Sequence, residues 1–262
     1  MASGPRSILI TGAGNGIGAA AARQFLDRGW RVGLYDLDAA AAKGVADGHA
    51  RAVVGELDVR EPDAWEQALA EFCPDGTLDA LVNNAGVLVS GPIVEQTLAQ
   101  HRLQLDVNVL GVVLGSAAGL PYLRRGRDAI VVNLGSASAL YGQPDIALYA
   151  ATKAAVRSLT EGIDLEWADE PVRVRSLMPL WVRTNLINEA SNARSVGNLG
   201  VRLTPESIAA AMVRLVLREG PGEKLPMRSP HRVVGSQAKA QAAARAVGPD
   251  WITRLLVRKL ST

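Results

Sequence analysis

The 262 residues are 48% hydrophobic with a formal net charge of +2, which supplies one sizeable core and argues against a nucleic-acid binder. A lone cysteine, Cys73, excludes an intramolecular disulfide and fits a reducing compartment, so a cytoplasmic protein is expected. His49, His101 and His231 lie far apart without ligand-like spacing, and no metal site is expected.

Ser7 to Thr11 reads as a short buried strand that begins too early to leave room for a signal peptide. It runs into Gly12-Ala13-Gly14-Asn15-Gly16-Ile17-Gly18 and then the Ala-rich stretch Ala19 to Ala22. A strand, a glycine-rich turn and a helix suit a dinucleotide. Glycines admit a pyrophosphate close to the backbone, and the helix N-terminus offers unpaired N–H groups and a positive dipole. The spacing is T-G-x-x-x-G-x-G, met by Thr11, Gly12, Gly16 and Gly18, and not G-x-G-x-x-G. A flexible Gly-rich loop without chemistry is the plain alternative. A second strand, Arg31 to Tyr35, ends at Asp36, where a carboxylate can bond ribose hydroxyls and repel a 2′-phosphate; this favours NAD(H) over NADP(H). The competing reading has Asp36 capping a helix that starts at Ala39.

Further strands are expected near 52–55, 78–82, 128–134 and 172–177, with helices near 16–28, 61–72, 95–123, 146–168 and 205–218. Strands separated by helical crossovers give a parallel sheet covered on both faces, an α/β doubly wound Rossmann-type architecture with its site at the strands' C-terminal ends. No run is read as a membrane span; the longest apolar stretch, Val107 to Leu123, contains Asn108 and small residues and is expected to be a buried helix.

Within the 146–168 helix, Tyr149 and Lys153 stand four residues apart and share one face, with Ser136 upstream. A solvated surface pair is the plain reading. The chemical one places the ammonium beside the phenol, favouring the phenolate and lowering its pKa toward working pH, while Ser136 orients an alcohol or carbonyl oxygen.

With these residues in view, the chain resembles the short-chain dehydrogenase/reductase family over about residues 6 to 227. Leu57-Asp58-Val59, Asn83-Asn84-Ala85-Gly86, Asn108 and Pro179 through Thr184 follow in the family's order. The resemblance implies strand order 3-2-1-4-5-6-7, with Lys224 to Arg228 as the last strand. It implies Tyr149 as acid/base, Lys153 as the group that lowers its pKa and holds the nicotinamide ribose, Ser136 as the carbonyl polariser, and Asn108 as holder of a relay water. Cofactor contacts carried over are Gly12, Asn15, Gly16, Ile17, Gly18, Asp36, Asp58 and Val59 at the adenine ring, Asn84, Ala85, Gly86, Pro179, Val182 and Thr184, besides Tyr149 and Lys153. Asn84 also reads as a structural turn residue. Where the family usually has Pro-Gly, this chain has Pro179-Leu180, which puts the local loop geometry in doubt.

The expected function is an NAD-dependent oxidoreductase interconverting a secondary alcohol and a ketone. Leu140, Tyr141, Leu180, Trp181, Val182 and Leu186 border the substrate by resemblance and favour an apolar, cyclic or steroid-like molecule. An NADPH-linked 3-oxoacyl reductase and a non-catalytic dinucleotide sensor are the alternatives. The family also implies a homo-oligomer, with the long helices near 95–123 and 146–168 meeting their symmetry mates.

Residues 1–227 are expected to form the dinucleotide-binding domain and 228–262 a basic extension with seven Lys or Arg and one Asp. Helices are expected at Val234 to Val247 and Pro249 to Leu260, the second with Trp251, Ile252, Leu255 and Leu256 on one stripe. Packing on the enzyme or a partner subunit, and docking on an anionic membrane, are the two readings of this tail.

Overall fold

The computed structural model describes residues 4–184, 186, 203–219 and 229–247. In chain order these form β1 (Ser7–Thr11), α1 (Gly16–Asp27), β2 (Arg31–Asp36), α2 (Ala39–Ala46), β3 (Ala52–Glu56), α3 (Pro62–Phe72) and β4 (Ala80–Asn83). There follow α4 (Leu98–Leu105), a π-helical turn (Asp106–Leu110), α5 (Gly111–Leu123), β5 (Ala129–Leu134), a 3₁₀ turn (Ala137–Leu140), α6 (Ala147–Glu166) and β6 (Val172–Pro179). The chain continues through α7 (Pro205–Val216), β7 (His231–Val234) and α8 (Ser236–Val247).

The seven strands form one sheet in the order β3-β2-β1-β4-β5-β6-β7, every pair parallel. Alternation along β1 shows how the sheet is covered. Ile8 and Ile10 point into a core built with Phe25 of α1 and Ile208 and Met212 of α7, while Leu9 points into the opposite core with Trp65, Leu69 and Phe72 of α3. Both faces of the strand are apolar because both are buried. The order reverses between β1 and β4, so the loops leaving these two strands diverge and open a crevice.

Two expectations need correction, the place of the last strand and the continuity of the long helix. The last described strand is His231–Val234, paired with Ser176–Pro179, whereas Lys224 to Arg228 lies outside the described residues. Residues assigned to the extension therefore supply the sheet edge and the helix α8; Pro230 and Gly235 bracket a strand too short for alternation to reveal. The helix expected at Pro249 to Leu260 lies outside the described residues.

The long helix expected near 95–123 is divided by the π turn. Taken as one run, Leu98–Leu123 spans 26 residues with mean hydropathy 1.5, so by length and composition it is apolar enough to cross a membrane, contrary to the sequence reading. Here it packs on β4, α3 and α6. Leu103, Leu105, Leu110 and Val113 remain exposed along it.

Candidate active site

The crevice is built first by backbone. Gly12 and Gly16 have φ of +63° and +53°, a region that penalises a side chain. A Cβ on Gly18 would lie 2.2 Å from the Gly12 carbonyl oxygen, so the helix start and the loop touch where only hydrogen fits. No side-chain cap bonds the first turn of α1 behind Asn15, which leaves its N–H groups and positive dipole available to an anion. Asn84 fixes the opposite wall: its Nδ2 donates to the Thr11 and Gly12 carbonyls at 2.8 and 3.0 Å, and Thr11 Oγ1 accepts from the Asn84 and Ala85 N–H groups at 3.1 Å each. The turn reading of Asn84 is thus the one its own hydrogen bonds express.

Asp36 does not cap the next helix. Asp38 does, accepting from the Ala41 N–H at 2.9 Å, while Asp36 accepts from the Gly14 N–H at 2.8 Å and the Asp38 N–H at 3.0 Å. A carboxylate with two oxygens and about four lone-pair sites retains acceptor capacity after those two bonds. Asp36 faces an open cleft lined by Gly12, Asn15, Gly16, Ile17, Asp58, Val59, Asn84, Ala85 and Gly86. Thr184 closes it near Gly16, whose Cβ would meet the threonine methyl at 3.0 Å. Arg60, unremarked in the sequence, also lines it; its guanidinium chelates Asp58 and holds that carboxyl below the usual carboxylate range. A cleft with an open helix N-terminus, side-chain-free backbone and a carboxylate facing it fits a dinucleotide.

A second, narrower cleft adjoins the first, sharing Ile17, Asn84, Gly86, Leu134, Thr184 and Leu186 with it. Here the structure brings together Ser136, Tyr149 and Lys153 with Pro179 and Val182. Ser136 sits at the head of the 3₁₀ turn after β5, and its hydroxyl lies close enough to the Tyr149 hydroxyl to favour the phenolate. Helical spacing on α6 puts Lys153 Nζ 5.7 Å from the Tyr149 ring centre, and Nζ donates to the Leu134 carbonyl at 2.9 Å. Both residues are buried.

Burial overturns one electrostatic expectation. The Tyr149 hydroxyl is pushed up to about 12 by desolvation, with Ser136 pulling the other way, so the expected drop caused by Lys153 is absent. Lys153 itself is brought down to about 8, also by burial. Removal from water penalises both charged forms, and this outweighs their mutual support across 5.7 Å.

Asn108 lies in the π turn, fully buried, and clamps Val87: Oδ1 accepts from its N–H and Nδ2 donates to its carbonyl, each at 2.8 Å. Nδ2 also donates to Thr152 Oγ1 at 3.1 Å, and that hydroxyl donates to the Tyr149 carbonyl at 2.7 Å. A Cβ on Gly86 would come 3.2 Å from Asn108 Oδ1 and 3.6 Å from Lys153 Nζ. The extra residue of a π turn is what rotates Asn108 inward, a signal the helical pattern alone did not carry.

Leu180 lacks the positive φ that would demand glycine, so it takes the place of the family glycine without that strain and lines the cleft with Trp181, Val182 and Leu186. Leu140 and Tyr141, expected at the substrate, are not among its lining residues; Leu140 is instead buried at the end of the 3₁₀ turn. Ser138 and Gln143 line it in their place.

Comparison with known proteins agrees with this architecture. The short chain dehydrogenase profile matches residues 6–195. The chain is 37% identical over 218 residues to meso-2,3-butanediol dehydrogenase of Serratia marcescens, covering 79% of this chain and 86% of that one. It is 33% identical to L-fucose dehydrogenase of Bos taurus, covering 79% and 82%. Among solved structures, 3-ketoacyl-(acyl-carrier-protein) reductase from Brucella melitensis, complexed with NADH, aligns with a TM-score of 0.80 at 28% identity over 90% of this chain and 99% of that chain. Sheet order, glycine loop and profile match together show that this chain belongs to the short-chain dehydrogenase family.

Proposed function

We propose that the protein is an NAD(H)-dependent oxidoreductase that interconverts a secondary alcohol and a ketone on a substrate with an apolar frame, of the cyclic or steroid-like kind. The observation that carries the reading is the meeting of Ser136, Tyr149 and Lys153 in an apolar-walled cleft adjoining the glycine-loop cleft. The relatives named for a butanediol and for fucose support alcohol chemistry.

The glycine loop and the start of α1 would hold the pyrophosphate, Asp36 the adenosine ribose, Asp58 and Val59 the adenine edge, and Thr184 the carboxamide side. A bound nicotinamide dinucleotide supplies the hydride acceptor or donor. Tyr149, protonated at neutral pH, is set to give its proton to a carbonyl oxygen that Ser136 also bonds; in the reverse direction it takes the alcohol proton. Lys153 would hold a ribose, while Asn108 keeps Val87 and Thr152 in place around them. Because its side-chain amide is already engaged there, a relay water at Asn108 has to share those groups.

Asp36 supports NAD(H) over NADP(H) by like-charge repulsion of a 2′-phosphate. A 3-oxoacyl reductase is the second reading, favoured by the solved relative of that name. Initial rates with NAD and NADP across secondary alcohols, and with NADH and NADPH across ketones and 3-oxoacyl thioesters, separate the two: turnover confined to thioesters would replace the first reading. The exposed Leu105 on α4, Leu110 on the π turn and Val113 on α5 support assembly into a homo-oligomer through that face.

A further inference from the structure

We infer that neutral His231 is a positioning residue for the active site: it clasps the β7–α8 edge to α6, the helix of Tyr149 and Lys153, and protonation of its ring releases that edge. The consequence for turnover rests on the alcohol/ketone reading of the site, whereas the clasp itself does not.

The ring bridges two elements. His231 Nδ1 lies 2.7 Å from Ser176 Oγ on β6, and Nε2 lies 2.7 Å from Glu161 Oε1 on α6, which Arg157 also reaches at 2.7 Å. The His231 backbone N–H donates to Ser229 Oγ at 3.3 Å. A serine, a histidine and a carboxylate in line suggest a nucleophile, but Ser176 is fully buried, so no substrate reaches its hydroxyl. Counting protons gives the three another role. Ser176 Oγ has no other hydrogen-bond partner among the described residues, so its hydrogen is paired only when it donates to a bare Nδ1. The other ring nitrogen then carries the proton and donates to Glu161. A second proton on the ring leaves the buried Ser176 O–H without an acceptor, which costs the folded state.

What the clasp holds borders the substrate cleft. Val234 of β7 pairs with Pro179, a lining residue, at the end of β6. Gly235 follows so near Leu203 that a Cβ would meet its side chain at 3.4 Å, and Leu203 bridges Val182, a second lining residue. Helix α8 then packs on the 3₁₀ turn that Ser136 opens, with Ala238 fully buried. Glu161 stands about two turns beyond Lys153 on α6, roughly 12 Å along the axis. His231 therefore touches neither the cleft nor its catalytic groups, and acts by fixing β7 and α6 relative to each other.

The charges that act on the ring come from α6. Removal from water holds His231 below the ordinary 6.5 of an imidazole, and Arg157 acts in the same sense. Glu161 and Asp164 oppose them, Asp164 being paired with Arg175 of β6 at 2.6 Å. Residues 229–247 carry Arg232 and Lys239 but no acid, so no carboxylate of its own edge steadies a charged ring. A group whose folded pKa is depressed binds more protons when unfolded. The clasp is thus at full strength above 6.5 and is lost as pH falls through the folded value.

The test follows wild type, His231→Gln and Glu161→Gln from roughly pH 7.5 to 5.5, the range over which an imidazole changes charge. Glutamine at 231 still donates toward Glu161 and takes up no proton. Glutamine at 161 removes a half-exposed carboxylate that supports the charged ring, and it remains informative where His231→Gln is unstable. Relative to His231→Gln, wild-type kcat/KM should fall about 3- to 10-fold over this range through one ionisation, while NADH affinity stays within about 2-fold. In Glu161→Gln the fall should move to lower pH. Hydrogen exchange across residues 229–247, corrected for its intrinsic pH dependence, should quicken over the same range in wild type and not in His231→Gln, and nitrogen NMR of the wild-type ring should show the Nε2–H tautomer above the midpoint. An acid limb that persists unchanged in His231→Gln, an unmoved limb in Glu161→Gln, or exchange that stays flat in wild type would overturn the inference. If no alcohol or ketone is turned over, the functional reading fails separately, and exchange with the ring tautomer then decides the clasp.

Discussion

Gly18→Ala gives the most direct test of how the nucleotide cleft is built. The new Cβ would sit 2.2 Å from the Gly12 carbonyl oxygen, 2.9 Å from its carbon and 2.6 Å from Asn84 Nδ2. Relieving the contact to an ordinary approach requires the loop and helix start to part by about 1 Å, since unbonded carbon and oxygen rarely come closer than that allows. Gly12 cannot yield alone, because its own position is wedged against Ala85 and held by the Asn84 hydrogen bond at 3.0 Å. Overpacking costs about 1–3 kcal/mol, and loss of that hydrogen bond about 0.5–1.5 kcal/mol more. For a domain of this size the sum lowers the melting temperature by roughly 3–18 °C. A shift of that size at a phosphate cradle should weaken dinucleotide binding about 10²-fold. Gly44→Ala is the control: nothing lies within 4 Å of its Cβ in α2, so it should stabilise by about 0.5–1 kcal/mol and leave binding unchanged. NADH fluorescence titration and thermal melting read both variants. A Gly18→Ala protein that binds NADH and melts like wild type would refute the steric account of the cradle.

Asp36→Ala should narrow the preference for NAD over NADP by at least about 10-fold in kcat/KM, read from initial rates; an unchanged ratio would remove Asp36 from cofactor choice. Lys153 titrates near 8 in the fold, below its ordinary 10.5, so the unfolded chain binds more protons between those values and this group makes stability rise with pH there. Tyr149, raised from 10.0 to about 12, works oppositely, lowering stability as pH rises through that window. Urea unfolding of wild type and Lys153→Met at pH 8 and 10 should therefore show a rise, on the order of 1–3 kcal/mol, that the variant lacks. Leu105→Arg with Leu110→Arg should reduce the mass seen by light scattering if the exposed face running from α4 through the π turn joins subunits, and should leave it unchanged otherwise.

Sequence reading succeeded where one residue's conformation or spacing carries the message. The T-G-x-x-x-G-x-G spacing encodes backbone geometry directly, and Tyr149 with Lys153 shares a helix face by periodicity alone. The strand order was legible through family resemblance and is the order found. What stayed hidden depends on packing. Whether Asp36 or Asp38 caps α2 turns on where the Gly14 N–H lies. The π turn at Asp106–Leu110 adds one residue to a helix whose apolar pattern is continuous across it. The direction of the Tyr149 shift required the depth of burial, which spacing does not give, and the clasp of His231 on Ser176 and Glu161 joins residues far apart in sequence. His231–Val234, with polar residues at two of four places, offered too little alternation to announce a strand.

The central claim is that Tyr149 exchanges the substrate proton beside a bound nicotinamide. The measurement that bears on it most directly is Tyr149→Phe, assayed for alcohol-dependent NADH formation and, in parallel, for NADH binding by fluorescence. The ring stays, the oxygen goes, and the account predicts cofactor affinity within about 3-fold of wild type with turnover reduced by at least roughly 10²-fold. Near-normal turnover in a variant that still binds NADH would contradict it.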